Sequence, residues 1–526
     1  MRNLLRKIER ECLNKRVFTL LFLFFTAAMA APLLYLGRYI HMSGDDYWYG
    51  IRPRFAWADG GGIPAILAEA AKNVRSFYVD WQGTYSSVFM FSLTPSIFGE
   101  QYYAVVPLMM LGMIFISTLA LFYVLCVKIS GSGLYNFWIF ALMACFLQIE
   151  FIHSPAQALY WYNGAVHYVF MQGFAIFSLA LMLAYFQIVI RGEVKNAPSP
   201  GSKKERTAKT ILLILMAICG PIAAGANHST ALLTIEFFSI FLLLAVYLAH
   251  KHKTKQPLFF LIPYALTLGG FLAATLAPGN SVRQAYFNQM GFGVALLNAF
   301  SFSFRQLLNW LDIFVVLSLL LLIPFIIKYA RQTTFRFPLA PLVALLSYGL
   351  YASMFMPAFY AMGNEPISRN QNICKMFLFI TLVFNEFYLL GWLIKKTDAK
   401  YWERLCPQRK GNLWAWCAYM AAIVIVFALS FASLDFVAKK ATFVSFGAFD
   451  ALQSGEAAAY HAEYLARLHH IKSSEEKIIY VPPYSVKPYP IWIRMDSEES
   501  SHEGGLLNID MVMWYGKHGI YETVAE

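Results

Sequence analysis

The chain has 526 residues, of which 59% are hydrophobic, 17% aromatic and only 14% charged. Soluble domains are nearer half apolar and about a quarter charged, so this composition excludes an ordinary soluble protein and indicates a polytopic membrane protein. The net charge of +12 does not indicate nucleic-acid binding, because the basic residues cluster in short stretches between apolar runs, as membrane topology requires. Membrane lipid is therefore an expected partner, and nucleic acid is not.

Long apolar runs recur along the first four fifths of the chain. A membrane-spanning helix needs roughly 20 apolar residues, and about eleven stretches meet this requirement. The predicted spans lie near residues 17–37, 103–127, 134–153, 168–190, 210–226, 231–249, 258–277, 306–327, 338–358, 373–394 and 413–433. We therefore expect an all-α polytopic membrane protein, with a bundle of about 11 transmembrane helices in a domain that occupies residues 1–433.

The basic residues predict the orientation of this bundle. They cluster at the N-terminus and in the stretches 191–209, 251–255, 328–336 and 395–410. If eleven spans alternate, all five segments fall on one side, which the positive-inside rule identifies as the cytoplasm. The N-terminus is then cytoplasmic and the C-terminus extracytoplasmic, and an even number of spans would break this agreement.

The first outer loop, about 38–102, is long and is expected to carry juxtamembrane helices. Residues 63–76 predict an amphipathic helix suited to the membrane interface. Its apolar stripe consists of Ile63, Ile66, Leu67 and Ala70. The stretch 81–98 is too polar at its start for a span, and two interpretations stay open for it: a second juxtamembrane helix or a half-buried hairpin.

The C-terminal region, 434–526, is polar and mixed. The pattern predicts a helix over 460–470 and a strand over 477–482. We expect a small α/β extracytoplasmic tail that packs on the membrane face of the bundle.

Two adjacent carboxylates, Asp45 and Asp46, follow the first predicted span directly. Acidic groups beside lipid are costly, so such a pair predicts a functional site. The alternative is a solvated loop that merely begins with two acids.

The other polar residues that can act on a substrate also fall in the predicted outer segments. They are Trp81, Tyr85, Trp161, Asn163, His228, Asn280, Arg283, Glu365 and Arg369. Each has a structural alternative. The tryptophans can belong to an interfacial aromatic belt, His228 can be a hydrogen-bonded residue at a helix end, and the two arginines can extend to the interface from buried stems.

The order of these motifs resembles the GT-C superfamily of polytopic glycosyltransferases. Within it, the chain is similar to the bacterial DUF6056 family and to the related GtrII-like glucosyltransferases. The matching pieces are Gly44-Asp45-Asp46-Tyr47, Trp81-Gln82-Gly83-Thr84-Tyr85, Trp161-Tyr162-Asn163-Gly164-Ala165, Ala277-Pro278-Gly279-Asn280 with Arg283, and Asn508-Ile509-Asp510-Met511 followed by Trp514-Tyr515-Gly516. The chain departs from the pattern at Thr84, where many relatives have arginine, and at Ser229, where many have an acid.

The resemblance implies an enzyme of a bacterial cytoplasmic (inner) membrane that takes a sugar from a polyprenyl-phosphate donor. The acceptor is an extracytoplasmic glycan, teichoic acid or lipid. A carboxylate deprotonates the acceptor hydroxyl, with inversion at the anomeric carbon, and the family's usual assignment favours Asp45 over Asp46 as this base. Arg283 and Arg369, with His228, are expected to bind the donor phosphate.

The remaining residues named above are expected to frame the substrates. No cofactor is required by this scheme. A divalent ion, Mg²⁺ or Mn²⁺, that bridges Asp45, Asp46 and the phosphate stays an open alternative, because hard cations take carboxylate and phosphate oxygens.

Two other functions compete with this interpretation. A transporter or flippase for a lipid-linked sugar would also be polytopic, but transporters tend to place polar groups at the bilayer midplane and between repeats. This chain has no visible repeat, and its polar clusters fall at predicted span ends. A polysaccharide polymerase or ligase usually has its large loop late in the chain, whereas here the long loop comes first.

Overall fold

The computed structural model describes residues 15–194, 203–397, 413–493 and 509–523. Within these ranges, ten helices are long and apolar enough to cross a membrane. They are Arg16–Tyr39, Glu100–Ile129, Tyr162–Arg191, Lys203–Ala224, His228–His252, Gln256–Thr275, Ile313–Gln332, Ala340–Met362, Ser368–Lys396 and Ala415–Ser433. The predicted all-α polytopic membrane fold is confirmed at this level. The basic N-terminal segment, residues 1–14, lies outside the described residues, as do parts of the basic stretches 191–209 and 395–410.

An eleventh apolar helix, Leu134–Glu150, has only 17 residues but runs between the two ends of the bundle. On its N-terminal side, the Ser130 carbonyl accepts a hydrogen bond of 2.7 Å from Thr333, which follows the span Ile313–Gln332. On its C-terminal side, the amide of Ser154 donates a bond of 2.7 Å to Asn372, near the start of another span. A helix of this length covers about 25 Å, near the lower limit for a crossing.

One predicted span boundary differs from the structure. The span expected at 306–327 begins instead at Ile313, and a separate helix, Phe292–Trp310, precedes it. The break occurs because Asp312 is an N-cap: its side chain accepts a hydrogen bond of 2.9 Å from the amide of Val315. A capping aspartate ends one helix and starts the next more effectively than hydropathy alone indicates.

Several shorter helices lie outside the spans. They are Asp45–Ala58, Gly62–Asp80, Tyr85–Phe91, Pro278–Gln284, Phe436–Thr442, Val444–Gln453, Glu456–Ser473 and Ile509–Trp514. The helix predicted at 460–470 is therefore present, and so is the strand predicted at 477–482. That strand, β1 (Ile478–Val481), pairs in parallel with β2 (Gly519–Glu522).

The segment before the span Glu100–Ile129 folds differently from the prediction in its details. The expected amphipathic helix spans Gly62–Asp80, but its packed stripe is Ile66, Ala70, Asn73 and Phe77. Ile63 and Leu67 are exposed, 52% and 42%, because the face toward the helix Asp45–Ala58 is rotated from the predicted stripe. The stretch 81–98 contains a second helix, Tyr85–Phe91, followed by a short turn of 3-10 helix, so of the two interpretations the helix is present and the hairpin is not.

The C-terminal region packs against the span Arg16–Tyr39, the helix Leu134–Glu150 and the start of the span Glu100–Ile129. Ser445 donates a hydrogen bond of 2.6 Å to Glu150. Farther along, Tyr464 and Lys472 both donate to the carboxylate of Glu100, at 3.0 and 2.8 Å. These contacts bring the tail to the end of the bundle that carries Asp45 and Asp46, which we call the site end.

Candidate active site

Asp45 and Asp46 begin a 14-residue helix, Asp45–Ala58, rather than lying in an irregular loop. Gly44 precedes it with a φ of 51°, a conformation that favours glycine. Carboxylates in the first helical turn are stabilised by the helix dipole. Because successive residues on a helix are about 100° apart, the two side chains do not face each other. Asp46 is fully buried, whereas Asp45 is half-buried.

Asp46 is held by three protein donors. The Tyr103 hydroxyl donates to its Oδ2 at 2.5 Å, the Ser43 amide to the same oxygen at 3.2 Å, and the Asn163 amide to Oδ1 at 3.0 Å. Burial raises the pKa of Asp46 to about 7, the charge of Asp45 adds to this rise, and the three hydrogen bonds oppose it. Asp46 thus joins the helix Asp45–Ala58 to the segment that contains Asn163.

Arg283 is positioned by the segment that contains Trp81 and Gln82. Its Nη1 donates a hydrogen bond of 2.8 Å to the side-chain oxygen of Gln82. The Gln82 amide nitrogen donates in turn to the Tyr49 hydroxyl at 3.0 Å. The guanidinium also lies over the ring of Trp81, 5.6 Å from its centroid. The charged end of Arg283 is therefore fixed by a hydrogen bond and by an aromatic face.

Two glycines allow this close approach. A Cβ on Gly83 would lie 2.0 Å from the Ala274 carbonyl oxygen, and one on Gly279 would lie 2.6 Å from the Trp81 nitrogen. Asn280 fastens the junction, since its Oδ1 accepts from the Gly83 amide at 2.9 Å and its Nδ2 donates to the Ala274 carbonyl at 2.8 Å. Asn280 therefore joins two segments of the site.

Arg369 lies over the ring of Trp161, 5.3 Å from its centroid. Trp161 is only 1% exposed, and its indole nitrogen donates to the Ser43 carbonyl at 3.1 Å. The ring therefore supports Arg369 and the Asp-bearing turn, and its burial leaves no open face on which a sugar can stack. The burial of Trp161 therefore differs from the expectation that it frames a substrate.

A cavity of about 100 Å³ lies where these segments meet. Its polar lining comes from five separate parts of the chain: Thr84, His167, Asn227, His228, Ser229, Asn280, Arg283, Gln284 and Asn370. Asn227 donates to the His167 carbonyl at 2.7 Å, and Asn370 donates to the Ser229 hydroxyl at 2.9 Å. The predicted outer segments are thus packed together around one polar space.

Several polar atoms around this cavity are buried without a hydrogen-bond partner in the described part of the chain. They include Thr84 Oγ1, His167 Nδ1 and both side-chain amide atoms of Asn163. Unpaired buried polar atoms are rare and costly in a folded protein. Thr84 and His167 line the cavity, where a bound polar group or water would satisfy their unpaired atoms. Thr84 and Ser229, the two departures from the family pattern, both line the cavity.

The local electrostatics combine cations with one accessible acid. Arg283 lines the cavity together with His167, and Arg369 lies over the Trp161 ring. Burial raises the pKa of Tyr49, with a further rise from the charge of Asp45 and an opposing effect from Arg283. Asp45 and Arg283 therefore affect the pKa of this tyrosine in opposite directions.

Two residues predicted to bind substrate are directed elsewhere. Tyr85 donates to the Pro221 carbonyl at 2.6 Å and packs against Gly225 and Gly270, so it joins helices. Glu365 is 61% exposed in its side chain and forms an ion pair with Arg305. Neither lines the cavity. Asn163 contributes its backbone amide to Asp46, while Trp81 and His228 line cavities at the site end.

Three residues that sequence reasoning did not select are central to the geometry. Gln82 lies within a motif quoted above, next to the selected Trp81, and His167 lies two residues after the motif that ends at Ala165, so their closeness to those motifs was an available signal. Tyr103 had no such signal. It lies in an apolar span, and only the packing shows that its hydroxyl holds Asp46 and also accepts from the Tyr162 amide at 2.9 Å.

The Asp pair does not fit a bridging metal. Both oxygens of Asp46 already accept hydrogen bonds from protein donors, and its neighbour projects in another direction. In the described ranges, no group of three or more His, Cys, Asp or Glu side chains is arranged to hold a metal ion. We derive no step through a metal.

The chain was compared with protein-family models, curated proteins and solved structures, and none of these matches it.

Proposed function

We propose that the chain is a membrane glycosyltransferase that moves a sugar from a polyprenyl-phosphate donor to an acceptor outside the cytoplasm. The observation that carries this proposal is the polar cavity at the end of the span bundle, which Arg283 lines. Arg369 lies over the Trp161 ring, whose indole nitrogen bonds the turn that leads into Asp45 and Asp46, although Asp45 itself does not line the cavity. The GT-C-like order of motifs supports the same reaction, and the location at span ends suits a donor whose lipid tail stays in the membrane.

The proposed chemistry assigns different tasks to the two aspartates. Asp45 takes the proton from an acceptor hydroxyl as that oxygen attacks the anomeric carbon. The bond between the anomeric carbon and the phosphate oxygen breaks, and polyprenyl phosphate leaves with inversion. Asp46 positions the turn through Tyr103 and Asn163. We expect Arg283 and Arg369 to bind the phosphate, on which negative charge develops.

The test is transfer of labelled sugar by the purified full-length chain in lipid nanodiscs. The donors are a panel of polyprenyl-phosphate hexoses, and the acceptor is the envelope fraction of cells that produce the protein. Asp45→Asn should lower kcat by about 100-fold or more, the usual contribution of a general base. Asp59→Asn, an exposed acid just after the same helix, is the matched control and should stay within about twofold. Full activity of Asp45→Asn would contradict the base assignment.

A transporter of a lipid-linked sugar is the second candidate, and one observation favours it. Glu236 lies within the span His228–His252, where its carboxylate accepts a hydrogen bond of 2.7 Å from Ser353 of another span. Acids within spans mark transport pathways in many membrane proteins. Translocation of a fluorescent lipid-linked sugar across proteoliposomes, abolished by Glu236→Gln and unaffected by Asp45→Asn, would favour transport over transfer.

A further inference from the structure

A second and larger cavity, of about 460 Å³, lies beside the candidate active site. We call it the tryptophan groove. It is lined by Trp48, Ile51, Arg52, Asn73, Ser76, Phe77, Asp80, Trp81, Asp510 and Met513. Its volume falls within the range of about 300–1,000 Å³ that is usual for ligand sites. It shares no lining residue with the smaller cavity, yet the two adjoin because Arg283 of that cavity lies over the ring of Trp81.

The lining combines flat aromatic faces with charged hydrogen-bonding groups. Trp48 is 39% exposed and packs edge-on against Phe77, with ring centroids 5.0 Å apart. Trp81 is half-buried, and Arg52 and Asp80 are exposed. Carboxylates accept hydrogen bonds and guanidinium groups donate them, so a sugar hydroxyl can donate one bond and accept another here. The apolar face of a sugar ring suits an exposed indole.

The C-terminal tail completes this groove. Trp514 docks the helix Ile509–Trp514 on the helix Asp45–Ala58: Arg54 lies 4.4 Å from its ring centroid, and a Cβ on Gly50 would lie 3.1 Å from the ring. Trp514 faces the helix Asp45–Ala58, and Asp510 and Met513 of the same C-terminal helix line the groove. The C-terminal motif, Ile509-Asp510-Met511 with Trp514-Tyr515-Gly516, thus docks the tail and lines the groove. Asn508, its first residue, lies outside the described residues.

We propose that the tryptophan groove binds the acceptor, and that the acceptor at this position is a polyhydroxylated glycan chain. This inference rests on the proposed function and names the acceptor class for it. Phosphate is disfavoured as the recognised group because Asp80 and Asp510 both line the groove. An acyl chain is disfavoured because three charged side chains lie along it.

The experiment measures binding separately from transfer. The Asp45→Asn chain in nanodiscs is titrated, without donor, with the glycan fraction released from the envelope of producing cells, and tryptophan fluorescence is followed. The same fraction after periodate oxidation, which cleaves vicinal diols, is the ligand control. Trp48→Ala and Asp80→Asn should each weaken binding tenfold or more, and periodate treatment should abolish it.

The chain offers close control variants. Trp57 lies on the same helix as Trp48 and is 41% exposed, but it packs against Phe98 and does not line the groove. Trp57→Ala and Asp59→Asn should leave binding within twofold. Thermal unfolding of every variant identifies those that simply fail to fold, and the milder Trp48→Phe should retain most of the affinity.

The outcomes separate the two proposals. No saturable binding, binding that survives periodate, or an equal loss with Trp57→Ala would overturn the glycan groove. If glycan binds as expected while the wild-type chain transfers no sugar, the groove stands and the glycosyltransferase proposal fails. If transfer proceeds and Trp48→Ala leaves the acceptor KM unchanged, the glycosyltransferase stands and the groove assignment fails.

Discussion

The Tyr103 hydroxyl donates a hydrogen bond of 2.5 Å to Asp46 and accepts one of 2.9 Å from the Tyr162 amide. One side chain from a span thus joins the Asp-bearing turn to the segment that contains Asn163. Because both partners are buried, removal of this hydroxyl leaves the Tyr162 amide without its bond and takes away one of the three bonds that hold the Asp46 carboxylate.

Tyr103→Phe should therefore destabilise the protein by about 1–3 kcal/mol, the usual penalty for an unsatisfied buried polar group. Thermal unfolding in detergent is the measurement. Tyr102→Phe is the control, since the adjacent Tyr102 is 53% exposed. Equal unfolding temperatures for the two variants would contradict the anchoring role of Tyr103.

The raised pKa of Asp46 predicts that the free energy of unfolding decreases as pH rises. Its pKa in the folded chain is raised from 3.8 to about 7, so between these values the folded state keeps a proton that the unfolded state has released. Stability falls as pH rises through this window and levels off above about pH 7, with a cost on the order of 4 kcal/mol. At pH 5, Asp46→Asn should be less stable than the wild-type chain. Between pH 5 and 8 it should lose less stability than the wild-type chain does. A wild-type pH profile that Asp46→Asn leaves unchanged would show that another group causes it.

The environment of His41 predicts the opposite pH dependence, in which the free energy of unfolding decreases as pH falls. It stacks on Tyr464, faces Tyr460 and lies 3.2 Å from the ring nitrogen of His461. Burial, then the charge of His461, lowers the pKa of His41 well below 6.5. Below about pH 6.5 the unfolded state binds a proton that the folded state does not, so stability is complete above this pH and falls as pH decreases.

The test replaces His41 by a ring that stacks but does not titrate. His41→Phe should reduce the loss of stability between pH 7 and 5, measured by thermal unfolding. The control is His469→Phe, which should not reduce this loss, because His469 lies on the exposed face of the helix Glu456–Ser473 that carries Tyr464 and His461. An undiminished acid sensitivity in His41→Phe would exclude the stacked histidine as its source.

The close contact at Gly83 predicts that a single added methyl group, as in Gly83→Ala, greatly lowers the stability of the fold. Since the obstructing atom is a backbone oxygen 2.0 Å from the new Cβ, Gly83→Ala should destabilise by about 3 kcal/mol or more, the upper end of overpacking. Gly269→Ala is the matched control, because open space surrounds its Cβ position in a helix. It should stabilise by about 0.5–1 kcal/mol. Similar unfolding temperatures would refute the close packing of the two segments.

Arg283 predicts an effect on donor binding. Arg283→Ala removes the cation that Gln82 and Trp81 hold at the cavity, so the donor KM should rise tenfold or more in the transfer assay. Arg305→Ala should change it less than twofold, because Arg305 is exposed and pairs with Glu365. If Arg305→Ala matched Arg283→Ala, a general effect of surface charge would explain both.

The hydropathy of the chain by itself determined the class of fold and most of the spans, because the cost of placing backbone and side chains in lipid is a sum over local residues. It also indicated which polar segments lie at span ends. It misplaced the start of the span at Ile313, since one capping aspartate decides that boundary, and it misoriented the stripe that contains Ile63 and Leu67.

Only the tertiary structure distinguished Asp45 from Asp46, since their difference comes from a helical turn of about 100° and from partners 57 and 117 residues away. In the same way, packing turned Trp161 into a support for Arg369, directed Tyr85 and Glu365 away from the cavity, and brought Asp510 to the tryptophan groove. Residue type and spacing state which side chains are able to act. Which of them meet depends on long-range packing, which no local pattern in the sequence encodes.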